Sequence, residues 1–170
     1  MSLYELSVPQ YVKMLKNLQL WLEKAVDSAG QLGFEPEGLL AARLAPDQYP
    51  LLKQIQAACD GAKLACARVA GKQAPVHPDT EQTLAEIRAR LDSCISYLET
   101  FTARDFEGAE SRLINLPFLP GRVMASQDYL VEFALPNFYF HLNHAYAILR
   151  HNGVQLGKLD YIGALKLRDG

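Results

Sequence analysis

Three of the chain's four histidines stand in one stretch, residues 136–153 (PNFYFHLNHAYAILRHNG), which reads as a helix stopped by Asn152-Gly153. At 100° of rotation per residue, His141 falls within about 40° of Ala134, Ala145 and Ile148, inside the apolar stripe. Asn137 and His144 lie about 40° and 60° to one side, making a polar ridge along the edge of that stripe. His151 lies further round, at a helix end where a cation suits the dipole. An ionisable ring on a core-facing stripe has to be satisfied or used. Two histidines one turn apart can share a divalent ion, with a third ligand from a facing helix. The second helix offers Gln56, Asp60 and Lys63 on one face, and Asp60 could ligate the ion or fix the His141 tautomer from behind. The candidate metal set is therefore His141, Asp60, Asn137 and His144. The competing reading makes His141 a hydrogen-bonded core histidine, His144 a flank residue, and His77 a structural or solvated loop residue between prolines.

Other chemistry is thinly represented. GxSxG, P-loop and GxGxxG patterns do not occur. Cys59 and Cys66 are seven residues apart on one helix, about 10 Å of rise and too far for a disulfide. Cys94 belongs to another helix, and the three read as small buried thiols. Tyr139, Tyr146 and Arg150 fall opposite the core stripe of the histidine-bearing helix. That aromatic outer face suits a partner surface, or else the chain's own tail or hairpin covers it.

Four segments carry helical periodicity and must position these groups. The first, about 8–29, turns Val8, Tyr11, Leu15, Leu18 and Leu22 inward, with Ser7 and Gln10 as a capping box and Gly30 and Gly33 at its end. The second, about 47–70, aligns Ile55, Cys59, Ala62, Cys66 and Val69, with Pro46 and Pro50 near its first turn. The third, about 80–101, aligns Leu84, Ile87, Leu91, Cys94 and Leu98 behind Asp79 or Thr80 as cap. The fourth begins at Ser126 as N-cap, and Pro136 should kink or divide it. Residues 103–125 break the pattern around a Pro-Gly turn, a hairpin-like excursion in which Pro117 fits only an edge strand. Residues 154–170 form a tail whose Val154, Leu156, Leu159, Tyr161 and Ile162 should dock. The fold class expected is all-α: one domain over 1–170, a four-helix bundle with a short excursion between helices 3 and 4.

A net charge of -2 and a pI near 6.1 predict no nucleic-acid partner. No apolar run approaches the ~20 residues of a membrane span, so no membrane partner is expected. The start, MSLYELSVPQ, lacks the pattern of a secretory signal, and a cytoplasmic protein is expected.

The runs APDQYPLLKQIQAACDGAK, FTARDFEGAE and FALPNFYFHLNHAYAILRHNGVQLGKLDYIG together resemble a bacterial domain-of-unknown-function family similar to the DinB/YfiT-like metalloenzymes. The resemblance covers nearly the whole chain and implies a DinB-type four-helix bundle, often a homodimer. Better-known members of the wider group are metal-dependent thiol transferases and hydrolases. They hold a divalent ion on one histidine of the second helix and an HxxxH pair of the fourth, so the cofactor to test for in this chain is a divalent metal such as zinc or nickel. Carried onto this chain, His141 matches, but Asn137 stands four residues before it and Ala145 four after, and the second helix has no histidine. The expectation is a binding or interaction protein with a degenerate metal site, open to a small-molecule ligand. The alternative is a divalent-metal transferase or hydrolase using His141 with Asp60.

Overall fold

The computed structural model describes residues 1–116, 118–168 and 170. It is mostly helical, with a two-stranded sheet. The edge-strand expectation for Pro117 lies outside the described residues.

Helix α1 runs from Leu3 to Leu32, longer than the periodicity predicts at its start. Its capping box is Ser2 with Glu5, not Ser7 with Gln10: Ser2 Oγ accepts from the Glu5 N–H at 3.2 Å, and the Glu5 carboxylate accepts from the Ser2 N–H at 2.7 Å. The Ser7 hydroxyl instead donates to the Leu3 carbonyl at 2.6 Å. Gly33 closes α1 in the left-handed conformation, φ 74°. The long connection that follows folds into a 3-10 turn, Pro36–Ala41, whose Leu39 and Leu40 are buried.

Helix α2 spans Leu51–Ala70, starting behind Pro50 and not at 47. Helix α3 spans Leu84–Glu99, and its box is Thr83 with Glu86. Asp79 and Thr80, the expected caps, lie ahead of this start, and Asp79 pairs with Arg90 at 3.0 Å. The excursion holds two 3-10 turns and a hairpin of β1 (Leu113–Asn115) and β2 (Val123–Ala125), with Ile114 opposite Met124. Ser126 is the first residue of the short α4 (Ser126–Asp128), not its cap, and its hydroxyl donates to the Arg112 carbonyl at 3.1 Å.

Pro136 acts as expected, through an identifiable device. It lacks the N–H that would reach the residue 132 carbonyl, and its ring crowds that carbonyl. The backbone widens into a π-helical segment, Tyr129–Ala134, in which the Leu135 N–H reaches back five residues to Leu130. Helix α5 then runs Leu135–His151. α2 packs most extensively on α5, and α3 packs on both α1 and α2. Trp21, Tyr11, Phe138 and the inward leucines fill the space between them.

The tail docks through α6 (Lys158–Ile162) on α1. Tyr161 stacks on Trp21 with centroids 5.4 Å apart, and the Trp21 indole N–H donates to the Asp160 carbonyl at 2.9 Å. Gly163 is required there: its φ is 67°, and a Cβ would lie 2.5 Å from the Asn17 amide. Leu159 departs from expectation, 81 % exposed on the outer side of α6. The aromatic outer face of α5 is covered from within the chain: Tyr146 packs edge-on against Trp21 and Tyr161, and the Tyr139 hydroxyl accepts from Gln10 at 2.7 Å. No helix among the described residues is long and apolar enough to cross a membrane.

Candidate functional site

Gln54 meets His141, Gly61 meets Asn137 and Arg68 meets Tyr129, so α2 runs antiparallel to α5 and the π-helical segment before it. Between them lies a cleft of about 360 Å³. Its walls carry Lys53, Asp60 and Arg68 from α2, and Tyr129, Asn137 and His141 from the facing side. From Lys53 to Arg68 the axis of α2 rises about 22 Å, so the cleft is elongated. Gly61 is its waist, where a Cβ would stand 3.3 Å from the Asn137 amide nitrogen.

His141 is half-buried, on the wall of this cleft and not within the core. Its Nδ1 lies 2.8 Å from Gln54 Oε1. The Gln54 amide is itself fixed, because its Nε2 donates to the Tyr49 carbonyl at 3.2 Å. Oε1 can only accept, so the proton of the neutral ring sits on Nδ1 and Nε2 keeps its lone pair. Burial, and then the nearby charge of His144, hold the ring's pKa below the ordinary histidine value. The Tyr49 ring lies parallel to the imidazole, centroids 6.4 Å apart.

Asp60 lines the same cleft but is engaged elsewhere. Its Oδ1 is 2.8 Å from both Lys63 Nζ and Arg90 Nη2. Arg90, with its side chain 1 % exposed, also holds Glu81 at 2.9 Å and Asp79 at 3.0 Å. Gln56 donates to the second Glu81 oxygen at 2.8 Å, and Lys53 pairs with Asp79. A buried guanidinium is tolerable when paired and hydrogen-bonded in this way. Burial alone would lower the Arg90 pKa, but the Glu81 hydrogen bond and the carboxylates beside it raise it overall.

His77, expected to be a structural or solvated loop residue, is the clasp of this cluster. The buried Lys63 Nζ is 2.7 Å from its Nδ1, and Ser93 Oγ is 2.9 Å from its Nε2. An ammonium can only donate, so Nδ1 accepts and Nε2 carries the proton. Burial first, then the charges of Lys63 and Arg90, hold the His77 pKa down. Cys94 Sγ lies 3.7 Å from the same ring. All three cysteines are free and buried, as expected, and burial pushes the Cys66 thiol up to about 12.

Of the four candidate ligands, the fold brings Asp60, Asn137 and His141 to one cleft and leaves His144 out of its wall. His144 donates from Nδ1 to the Phe140 carbonyl of its own helix at 2.6 Å. The residue that fixes the His141 tautomer is Gln54, not Asp60. Among the described residues no three His, Cys, Asp or Glu side chains gather as a metal site. The donor set present does not fit a divalent ion, because the two carboxylates lining the cleft, Asp60 and Asp79, are each shared by two cations and Asn137 is a poor ligand for a transition metal.

Sequence reasoning missed Gln54 and Arg90. The signal for Arg90 was its spacing: it lies three residues after Ile87 and four before Cys94, on the inward side of α3. Gln54 carries the same mark, three residues after Leu51 and four before Ala58 on the inward side of α2.

Comparison with known proteins places this geometry. Residues 3–162 match a family described as "Domain of unknown function (DUF1993)". A crystal structure of a DinB family member protein from Shewanella denitrificans is 45 % identical, covers 99 % of this chain and 96 % of its own, and superposes with a TM-score of 0.95. No protein with a curated description matches. The chain belongs to the DUF1993 family of DinB-like helical proteins, whose function is unknown.

Proposed function

We propose that this protein, a single-domain DinB-type four-helix bundle, is a metal-free binding protein that takes a small molecule in the α2–α5 cleft. The observation that carries this reading is the commitment of the cleft's carboxylates. Asp60 is shared between Lys63 and Arg90, and Asp79 between Lys53 and Arg90, which leaves Nε2 of His141 without an anionic co-ligand. What remains facing the cleft is hydrogen-bonding and apolar: an imidazole lone pair, the Asn137 amide, a guanidinium and aromatic rings. Largely preformed, mostly apolar clefts with a few polar groups are the usual sites of small ligands.

A second reading is favoured by one observation, that Asp60 and His141 line the same cleft. It is a divalent-metal transferase or hydrolase, and it requires Asp60 to leave both of its cations.

Elemental analysis of protein purified without an affinity tag, repeated after dialysis against zinc and against nickel, separates the two. The binding reading expects no stoichiometric metal under any condition. Stoichiometric metal in the wild type that disappears in His141→Ala would overturn it.

A further inference from the structure

We propose that the α2–α5 cleft takes an elongated organic acid, its carboxylate on Arg68 and a hydroxyl or N–H at its far end on Nε2 of His141. The inference rests on the reading of this cleft as a ligand site. The charges along the wall decide the acid end. Lys53 is paired with Asp79, Lys63 with Asp60, and Arg90 with three carboxylates. Arg68 also lines the cleft but is paired with no carboxylate among the described residues. It spends one N–H on the Tyr129 hydroxyl at 3.0 Å, with the guanidinium 6.0 Å from that ring. A guanidinium has five donors in a planar fork, so the remaining ones can seat a carboxylate bidentately.

The opposite end is decided by the tautomer. With Nδ1–H given to Gln54, Nε2 of His141 is an acceptor and bonds to none of the described residues. It selects a ligand that donates. Between the two ends the wall carries the apolar Ala57, Leu64, Phe133 and Ala134, with the Asn137 amide and the paired Asp60 near its waist. Gln54 and Arg68 are about 21 Å apart along α2, and the Arg68 side chain leans back toward the start of the helix, leaving roughly 12 Å between the polar groups. At the ~30 Å³ a water occupies in the liquid, the cleft holds about a dozen non-hydrogen atoms.

The test is isothermal titration of the full chain with 10-hydroxydecanoate, decanoate and 1,10-decanediol. The hydroxy acid is expected to bind one per chain, several-fold tighter than decanoate and at least about tenfold tighter than the diol. Arg68→Gln should weaken both acids at least about tenfold and leave the diol unchanged. His141→Phe should erase the advantage of the hydroxy acid over decanoate, and Ala57→Phe should abolish binding of all three. Leu64→Trp serves as the block if Ala57→Phe does not fold. Acids and diol binding alike, with Arg68→Gln silent and the blocking variants still effective, would overturn the ligand class while sparing the cleft. Binding that survives both blocks, or no binding by any probe, overturns the inference outright.

Discussion

His141 Nδ1 stands 2.8 Å from Gln54 Oε1, and this bond determines which ring nitrogen carries the proton. Gln54 cannot turn its amide to donate without giving up the Tyr49 carbonyl, so the pair holds one tautomer. Replacing Gln54 with Glu keeps the geometry and places a carboxylate on the imidazole. The His141 pKa, depressed in the wild type, should rise in this variant, because the charged ring gains an anionic partner. Gln54→Leu should instead cost about 1–3 kcal/mol, since it leaves the ring N–H without its acceptor. NMR titration of the ring protons checks the first expectation, and urea denaturation checks the second.

The Arg90 cluster is the second polar device inside the fold. Arg90→Met leaves Asp60, Asp79 and Glu81 without the guanidinium that joins them, and the expected loss is about 3–5 kcal/mol by chemical denaturation. Because Asp79 and Glu81 lie in the 2–3 connection, hydrogen exchange in residues 72–83 should accelerate in the same variant. A loss within ~0.5 kcal/mol would show that the cluster is incidental to stability.

The pH dependence follows from two depressed histidines. Burial, aided by Lys63 and Arg90, lowers His77, and burial, aided by His144, lowers His141. Both protonate less easily in the folded state than in the unfolded one. Their contribution is therefore complete above 6.5, the ordinary value, and is lost as pH falls from there through the lowered folded values. Asp60 and Glu81 oppose the lowering of His77 but do not reverse it. Asp79 and Glu81 are themselves held below the usual carboxylate range, where the cations of Lys53 and Arg90 outweigh desolvation, so their contribution is lost only at lower pH. Urea midpoints should fall between about pH 7 and pH 5, and the fall should shrink in His77→Asn with His141→Asn.

Tyr11 offers a test of opposite sign. Its side chain is fully buried, its hydroxyl bonds to none of the described residues, and its ring lies edge-on to Phe138 at 4.7 Å. Tyr11→Phe removes an unsatisfied polar atom and keeps the ring, so the melting temperature should stay level or rise, by up to about 1 kcal/mol of stability. Tyr11→Ala should cost about 3–5 kcal/mol through the cavity it leaves.

The helices were legible because their inward faces repeat at the helical period, and α3 shows this best: Leu84, Ile87, Leu91, Cys94 and Leu98 are all buried. Helix starts were less so. Ser7 and Gln10 imitate a capping box, but Ser2 and Glu5 cap a longer helix, and Asp79 lies ahead of the start of α3, paired with Arg90. At the site, the sequence pointed to His141 and to the helix facing it, since a histidine in an apolar stripe demands a partner. It did not reveal that partner, because a tautomer-fixing amide shows only when α2 and α5 are laid antiparallel. His77 was illegible for the same reason: its partners, Lys63 and Ser93, come from two different helices.

The central claim is that His141 presents a free lone pair to a ligand cleft and is not a metal ligand. The most direct measurement is the ¹⁵N spectrum of its ring in tag-free protein near neutral pH, before and after one equivalent of zinc. The account predicts a neutral Nδ1–H tautomer whose Nε2 signal does not move when zinc is added. A coordination shift at Nε2, abolished by Asp60→Asn, would contradict it.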